Sequence, residues 1–283
     1  MQSWLAAHFF EDRMEDHAAN IIAAIDSAYR NETPQEPRSY IGASIIGNPC
    51  DAMIAFQMRG FPDSQVEPKL KRIFKMGHTI EDIVVRDLKK AGYFVQEIDG
   101  LTGKQYAYDA YGGHVVCHTD GQIELDRGEP SILEVKSMND SSFNKFKKNG
   151  VKAAHPRYFA QLQMMMGMSG IQTSLFIAQN KNTQEYHAEL VGFDPFEWGY
   201  IEARIGGILS GSAQKLARDP EDWRCRGCFK ADACWGDARP KPLCRNCVHS
   251  LPREEGGWWC GLKERKADQP CDKHEYFKPK ERD

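Results

Sequence analysis

Two acidic residues and a lysine lie close together near the middle of the sequence. Asp120 and Glu134 fall at the ends of two apolar runs, which a Gly/Pro turn at 126–130 joins. A hairpin of this kind brings distant carboxylates together. Glu134 and Lys136 alternate around Val135, so on a strand both side chains point to the same face. Two carboxylates and an ammonium on one patch can hold a divalent metal ion and a water molecule beside a phosphate.

Two predicted helices supply further polar residues that could face this patch. Glu81 lies in a helix predicted over 70–90, where its carboxylate could add a metal ligand or position the attacking water. Gln161 and Gln163 stand among Met and Phe residues in a later helix. A glutamine that faces the core is costly unless something polar meets it, and a phosphate, a water molecule or Lys136 would serve.

The apolar periodicity places these residues on an α/β framework. The order is helix, several strands, helix, two strands, helix, which predicts an α/β fold with a mixed central β-sheet flanked by helices. A Pro-rich break at 33–38 follows the first helix. Helices are predicted over 1–30, 52–58, 70–90, 140–149, 156–168 and 195–217. Strands are predicted at roughly 93–98, 105–111, 114–124, 131–137, 173–179 and 184–190.

The composition is ordinary for a globular protein of 283 residues, with 41% hydrophobic and 27% charged residues. No apolar run approaches the length of a membrane span and no basic-then-apolar leader opens the chain, so we expect a cytoplasmic protein. A net charge of −3 does not indicate a nucleic-acid binder. The segments 69–75 and 145–152 nevertheless concentrate lysine and arginine, either as solvated helix faces or as contacts to phosphate.

The order of the polar residues resembles that of the PD-(D/E)xK nuclease superfamily, above all its RecB-like and phage-exonuclease branch. The resemblance covers residues 40–236 and rests on a helix glutamate, an aspartate, a Glu-x-Lys pair and a glutamine on the following helix. These residues are Glu81, Asp120, Glu134, Lys136 and Gln161. The resemblance implies a restriction-endonuclease-like core and the metal-dependent hydrolysis of DNA.

Carried over by position, the resemblance also implies a role for each residue. Asp120 and Glu134 would ligate Mg²⁺ or Mn²⁺, helped by the carbonyl of Val135. Glu81 would be an extra ligand, either direct or through water. Lys136 would orient or activate the attacking water and stabilise the charge that develops on the phosphorus centre.

The chain departs from the family pattern in its helices and at the residue before the aspartate, and one matching position, Gln161, remains. Gln161 would steady the lysine, the water or the DNA strand. Thr119 stands where the motif has its proline. RecB-like members often carry a histidine in place of the helix glutamate, and His78 is expected to be a bystander. The family pattern Gln-x-x-x-Tyr ends here in Met165, so Gln163 could share the role of the first glutamine.

Seven of the nine cysteines lie between residues 225 and 271, in two Cys-x2-Cys clusters. In a chain without a leader, such clusters favour metal ligands over disulfides. The first cluster reads Cys-x2-Cys-x5-Cys and needs a fourth ligand from elsewhere. The candidate set is Cys50, Cys225, Cys228 and Cys234.

A lone cysteine ahead of the nuclease motifs and this cluster after them resemble the iron–sulfur staple of RecB-type nucleases. That group includes AddB-like subunits and certain CRISPR-associated exonucleases. The resemblance implies a [4Fe–4S] cluster that ties the two ends of the domain together and closes a long loop. The alternative is a zinc site formed by three cysteines and a fourth local ligand.

The second cluster has the spacing Cys-x2-Cys-x12-Cys-x10-Cys, which is plausible for a zinc-ribbon-like framework. Its candidate ligands are Cys244, Cys247, Cys260 and Cys271, and His274 could replace the last of them. Few apolar residues surround this segment, so Zn²⁺ would have to hold it together. Contact with nucleic acid and contact with a protein are equally open for it.

The sequence therefore predicts a metal-dependent DNA nuclease, more readily an exonuclease than an endonuclease, that acts on DNA ends or single strands in recombination or processing. A phage origin fits the resemblance, and a recombination or helicase partner would be a separate chain. The resemblance is also compatible with an oligomer. The expected parts are an N-terminal helical segment (1–39), the nuclease domain with its staple (40–238) and the Cys module (239–283). The alternative is a non-catalytic nucleic-acid-binding or assembly protein that metal sites hold together.

Overall fold

The computed structural model of the protein describes residues 2–33, 36–125 and 128–282, with side chains from residue 16 onward. Part of the turn at 126–130 and part of the break at 33–38 therefore lie outside the described residues. The helices are α1 (Gln2–Arg30), α2 (Ala43–Ile46), α3 (Asp51–Met58), α4 (Pro68–Lys90), α5 (Asp140–Ala154), α6 (Pro156–Ser169), α7 (Pro195–Leu209) and α8 (Ala231–Trp235). The strands are β1 (Ile41–Gly42), β2 (Phe94–Gln96), β3 (Ala107–Ala110), β4 (Val115–His118), β5 (Gly121–Glu124), β6 (Pro130–Met138), β7 (Thr173–Asn180), β8 (Tyr186–Gly192), β9 (Ser250–Pro252), β10 (Trp258–Cys260) and β11 (Arg265–Lys266).

The central sheet has the strand order β2-β5-β6-β7-β8. Strands β6 and β7 are parallel, and the other neighbours are antiparallel. A parallel pair needs a long crossover connection, and the helices α5 and α6 supply it. The predicted fold class, a mixed sheet flanked by helices, is confirmed.

Helices cover both faces of this sheet. On one face, α4 buries its apolar stripe of Ile80, Val84 and Val85 against β5 and β6. On the other face, α5 and α6 pack against β7, where the rings of Phe146 and Phe176 meet edge to face. Strand β6 is buried along most of its length, as expected for a central strand with helices on both sides.

The segment 114–124 was predicted as one strand, and this prediction is wrong. It forms β4 and β5, which belong to different sheets, because β4 pairs with β1 and β3 while β5 pairs with β2 and β6. The chain changes sheet at Thr119 and Asp120. Gly121 permits the change, since a Cβ atom there would lie 2.8 Å from the carbonyl oxygen of Gln96. The apolar alternation continues through the change of sheet and could not reveal it.

The helix predicted over 195–217 ends at Leu209 instead. Gly211, with a φ of 82°, turns the chain in the left-handed region. The backbone that follows then pairs with the end of the chain, where the amide of Lys215 donates to the carbonyl of Lys280 at 2.9 Å. A distant backbone partner therefore replaces the next turn of the helix.

The segment after residue 239 packs on the rest of the protein. Strands β9, β10 and β11 form a small antiparallel sheet, and Phe277 lies in the main hydrophobic core. The buried guanidinium of Arg59 donates to the carbonyls of Cys247 and Ser250, both at 3.0 Å, and lies 4.2 Å from the ring of Phe277. The predicted module is thus attached to the core by a buried cation, and its division from residues 40–238 stays a prediction.

Candidate active site

Asp120 and Glu134 meet at the hairpin of β5 and β6. The register pairs Gly121 with Leu133, so Asp120 lies beside the middle of β6. One carboxylate oxygen of Asp120 accepts a hydrogen bond from the amide of Val135 at 2.8 Å. The predicted convergence of the two acids is confirmed, and a backbone contact fixes the orientation of Asp120.

Glu134 is the most buried acid of the site, with 1% of its surface exposed. Its Oε1 accepts hydrogen bonds from the ammonium of Lys136 and from Nε2 of Gln161, the latter at 2.7 Å. Lys136 therefore shares a face of β6 with Glu134, as the alternation predicted. Gln161 reaches the same carboxylate from α6, which explains how a glutamine is tolerated inside a Met- and Phe-rich helix.

Glu81 approaches from α4 and lines the same open groove as the other site residues. The pKa of Glu81 is raised to about 7, first by burial and then by the negative charge of Asp120. His78 is largely exposed, with its Nδ1 3.8 Å from Glu81. The histidine therefore flanks the site from the solvent side.

The surroundings of the site disfavour the ionised form of its carboxylates. Burial, followed by the charge of Asp120, raises the pKa of Glu134 to about 8, and burial raises the pKa of Asp120. Burial alone would lower the pKa of Lys136, but the charges of Glu134 and Asp120 outweigh it and raise that pKa. Three ionised carboxylates with one ammonium leave an excess of two negative charges, which protons or a divalent cation would neutralise.

The donor set fits a divalent cation. Oε2 of Glu134 is buried and has no hydrogen-bond partner among the described residues, and such an orphaned oxygen is costly unless something electropositive meets it. Carboxylate oxygens are the ligands that Mg²⁺ and Mn²⁺ prefer. Within residues 2–33, 36–125 and 128–282, no group of three or more His, Cys, Asp or Glu is arranged to hold a metal ion as it stands. The fit therefore rests on the chemistry of the donors.

The groove has a volume of about 2030 Å³, and basic side chains line it together with the acids. Helix α4 contributes most of them, and the end of α1 and the loops at 38 and 181 contribute the others. Apart from Lys136, they are Arg30, Arg38, Lys69, Lys71, Arg72, Lys75 and Lys181. Of the two interpretations of the segment 69–75, the contact surface for phosphate agrees with this location.

The end of α1 covers part of this basic face. Glu32 lies 2.9 Å from Lys75 and 3.4 Å from Lys71, and Asp26 lies 2.7 Å from Arg72. The pairing with Lys75 lowers the pKa of Glu32. Solvent-exposed pairs of this kind are weak, so a phosphate backbone could compete with these acids for the same cations.

Gln163 does not share the site with Gln161. Its Nε2 donates to the carbonyl of Gly192 at 3.0 Å, and its Oε1 accepts from the amide of Asp194 at 2.8 Å. Both ends of the amide thus hold the connection between β8 and α7. The neighbouring glutamines have separate tasks because a helix turns them to different sides.

Tyr158 is a neighbour of the site that the sequence argument missed. The ammonium of Lys136 lies 5.2 Å from the centre of its ring. The available signal was the spacing to Gln161, since residues three apart lie on one face of a helix. A tyrosine in an apolar helix is usually a core residue, so the spacing alone did not distinguish it.

The structure brings the first cysteine set into one region, although the members are far apart in the chain. The thiol of Cys234 lies near enough to Cys50, Cys225 and Cys228 for their charges to interact, and burial is the main cause that raises its pKa to about 12. The backbone amide of Cys50 donates a hydrogen bond to the side-chain oxygen of Asn48 at 2.9 Å, which fixes the position of this cysteine.

The second cysteine set also converges. Cys244 interacts electrostatically with Cys247, Cys260 and Cys271, and burial is the first cause that raises the pKa of its thiol. His274 lies beside this group, but its Nε2 is 2.9 Å from the side-chain oxygen of Asn246. In the part of the chain that the structure describes, neither cysteine set has its side chains arranged to hold a metal ion as it stands.

Comparison with known proteins gives one family match. Residues 41–172 match the family described as the YqaJ-like viral recombinase domain. No curated protein matches the chain significantly. Several solved structures are similar at low identity, and two of them are exonucleases. An alkaline exonuclease (LHK-Exo) from Laribacter hongkongensis has a TM-score of 0.46 and 17% identity, over 66% of this chain and 91% of that chain. A phage-related exonuclease from Haemophilus somnus 129PT has a TM-score of 0.37 and 11% identity, over 63% and 94%.

The matched segment covers just under half of the chain and spans the elements from β1 to the end of α6. It contains the helix glutamate, the aspartate, the Glu-x-Lys pair and the buried glutamine. The two cysteine sets lie outside it, except for Cys50. Over residues 41–172, which include all five residues of the candidate site, this chain therefore resembles the YqaJ-like viral recombinase domains.

Proposed function

We propose that this chain is a metal-dependent DNA exonuclease of the phage type that hydrolyses phosphodiester bonds in DNA recombination. The observation that supports it most directly is the buried carboxylate of Glu134. One of its oxygens accepts hydrogen bonds from Lys136 and Gln161. The other oxygen has no hydrogen-bond partner within the described residues. A protein that only binds DNA has no reason to bury acids where phosphate must approach. The family match over 41–172 supports the setting in recombination.

The site residues divide the work between holding a cation and assisting hydrolysis. Asp120, Glu134 and the carbonyl of Val135 would hold Mg²⁺ or Mn²⁺, with Glu81 as a further ligand, direct or through water. The bound cation would polarise the phosphate and make its water a better nucleophile. Lys136 is cationic and close to the acids, so it can orient the attacking water and stabilise the negative charge that develops on the phosphate.

Gln161 has a supporting role in this proposal. Its bond to Glu134 fixes the carboxylate from behind, on the side of α6. Groups that orient a metal ligand in this way commonly change metal affinity or activity when they are removed. Its position also explains why the helix keeps a polar residue in the core.

The groove supplies the contact surface for DNA in this proposal. Its cations lie on α4, at the end of α1, on the segment before β1 and on the turn after β7, and the acids line the same groove. Phosphate contacts provide affinity and position the strand without reading its sequence. An exonuclease that degrades any sequence needs binding of this kind.

The experiment that tests the proposed function is digestion of end-labelled single- and double-stranded DNA with Mg²⁺ or Mn²⁺. We expect progressive shortening from the ends, loss of cleavage with a chelator, and resistance of a covalently closed circle. Cleavage of the circle would indicate an endonuclease instead. Tight DNA binding without cleavage under both metals would contradict the proposal and favour the non-catalytic alternative.

We expect Lys69→Ala and Lys181→Ala to weaken DNA binding to a similar degree for every sequence. Each lost phosphate contact should reduce the slope of log affinity against log salt by about 1. The turnover rate at saturating DNA should stay close to that of the wild type, because among the described residues neither lysine is paired with an acid of the site, whereas Lys136 is.

The measurement is a salt titration of DNA affinity with a chelator present, so that no cleavage occurs. Lys90→Ala is the matched control, because it removes a lysine from the exposed end of the same helix α4, away from the groove. An unchanged salt slope in both groove variants would show that the groove is not the path of the DNA.

We also propose that Cys50, Cys225, Cys228 and Cys234 hold a [4Fe–4S] cluster and that Cys244, Cys247, Cys260 and Cys271 hold Zn²⁺. The convergence of each set supports a shared ligand, and in the first set Cys50 comes from a distant part of the chain. Sulfur-only sets suit iron–sulfur clusters and zinc. The first set would link the start of α3 with α8 and the loop before it.

We expect Cys225→Ala to lose the visible absorbance of a thiolate-ligated iron–sulfur cluster together with its iron, while zinc stays bound. Cys247→Ala is the paired variant and should lose zinc while it keeps the absorbance. The measurements are the absorption spectrum and the metal content of anaerobically purified protein. Zinc in place of iron at the first set would support the alternative zinc site there.

A further inference from the structure

Tyr158 lies directly against the ammonium of Lys136. The distance from Nζ to the centre of the ring is 5.2 Å, within the range in which the negative face of an aromatic ring attracts a cation. Tyr158 is half-buried and packs against the main hydrophobic core. It is not among the described residues that line the groove, whereas Lys136 is.

The ring of Tyr158 is held in place from two sides. The ring of Phe176 on β7 lies 5.8 Å away and the ring of His155 lies 5.5 Å away. Nε2 of His155 is in turn 3.1 Å from the carbonyl oxygen of Ser142 on α5. Tyr158 is therefore a fixed surface, while the lysine that touches it is a flexible four-carbon chain.

Lys136 needs such a surface because its other partners are shared. Its ammonium contacts Glu134, and that carboxylate also receives Gln161 and is a candidate cation ligand. A carboxylate that binds a metal cation attracts the lysine ammonium less strongly. An aromatic ring does not compete for the cation and keeps its attraction for the ammonium.

We propose that Tyr158 is a positioning residue that holds the Lys136 ammonium beside the acids through its aromatic face. This inference rests on the proposed function for its catalytic consequence, although the contact itself does not. The ring, and not the hydroxyl group, makes the contact. Phenylalanine should therefore replace tyrosine, whereas an aliphatic residue of similar size should not.

The first measurement is the steady-state kinetics of Tyr158→Phe and Tyr158→Leu on linear DNA. We expect kcat of the phenylalanine variant to stay within about twofold of wild type and kcat of the leucine variant to fall about tenfold. KM should stay unchanged in both, because Tyr158 does not reach the groove. Tyr200→Leu, at an exposed tyrosine of α7, is the control for the loss of a tyrosine.

The second measurement does not depend on cleavage. After reductive ¹³C-methylation of lysines, the methyl resonance of Lys136, identified by its loss in Lys136→Arg, should show the ring-current shift of a neighbouring aromatic ring. The shift should persist in Tyr158→Phe and disappear in Tyr158→Leu. If wild type does not cleave DNA but this shift pattern appears, the proposed function fails and the contact stands.

Three outcomes would overturn the inference. An equal loss of kcat in both variants would assign the role to the hydroxyl group. A change in KM with an unchanged kcat would place Tyr158 in DNA binding. A fall in kcat that matches a fall in the folded fraction, measured by thermal denaturation, would reduce Tyr158 to a packing residue.

Discussion

Asp120→Asn should lower the rate of metal-dependent DNA cleavage by about 10³-fold, with little change in the fold. The substitution removes a negative charge from the group that would hold the cation. The asparagine keeps an oxygen that can accept the hydrogen bond from the amide of Val135, which is 2.8 Å from Asp120 in the wild type. The substitution should therefore reduce the rate of catalysis and the affinity for the metal ion, while the protein stays folded.

The measurement is single-turnover digestion of end-labelled DNA over a range of Mg²⁺ and Mn²⁺ concentrations. Asp109→Asn is the matched control, since it removes an exposed acid from the neighbouring strand β3. Glu134→Gln and Lys136→Met should give losses of similar size, because they remove the other ligand and the cationic group. If all three site variants cleave at wild-type rates while metal dependence persists, the catalytic site lies elsewhere.

The metal-free protein should lose stability as the pH rises from about 5 to about 8. Glu134 has a pKa of about 8 in the folded protein, against an ordinary value of 4.5, because it is buried and faces Asp120. The folded state thus holds this proton more tightly than the unfolded chain. Its contribution to stability is complete below the ordinary pKa and is lost as the pH passes through the raised pKa.

The effect should be on the order of a few kcal/mol, since each unit of pKa shift corresponds to about 1.4 kcal/mol. Glu81 should add to it, because its pKa is raised to about 7 by burial and by Asp120. Glu134→Gln should flatten the profile and raise the midpoint of thermal denaturation at pH 8 by several degrees. Asp109→Asn, away from the site, should follow the wild type.

The measurement is the free energy of unfolding from pH 5 to pH 8 with a chelator and then with Mg²⁺. The divalent ion should restore stability most at high pH, because only there are the carboxylates ionised without it. A flat profile in the metal-free wild type would mean that the acids are already compensated. The site would then need another explanation for its buried charge.

Local patterns predicted the parts of the site that depend on neighbouring residues. The alternation around Val135 predicted that Glu134 and Lys136 share a face, and the turn between two apolar runs predicted the approach of Asp120. Both hold in the structure. The periodicity over 70–90 predicted a helix that could bring Glu81 to the acids, and in the structure α4 packs against the sheet with Glu81 at the groove. In each case, the period of the regular structure is enough to assign a direction to the side chain.

Other features depend on partners far along the chain, and the sequence could not provide them. The alternation of 114–124 gave no sign that β4 and β5 belong to different sheets. The helix after Pro195 looked longer than it is, because its continuation pairs with the backbone near Lys280. Pairing of this kind is decided by distant segments, to which a short window of sequence has no access.

The sequence by itself determined which chemical groups this protein has and which of them share a strand or a helix face. Only the tertiary structure decided how the groups are shared among partners. It paired Gln161 with Glu134 and Gln163 with the connection after β8. It also set the ring of Tyr158 against Lys136 and bonded Arg59 to the C-terminal segment. The physical reason is that hydrogen bonds and burial act between atoms adjacent in space, whereas periodicity records only neighbours along the chain.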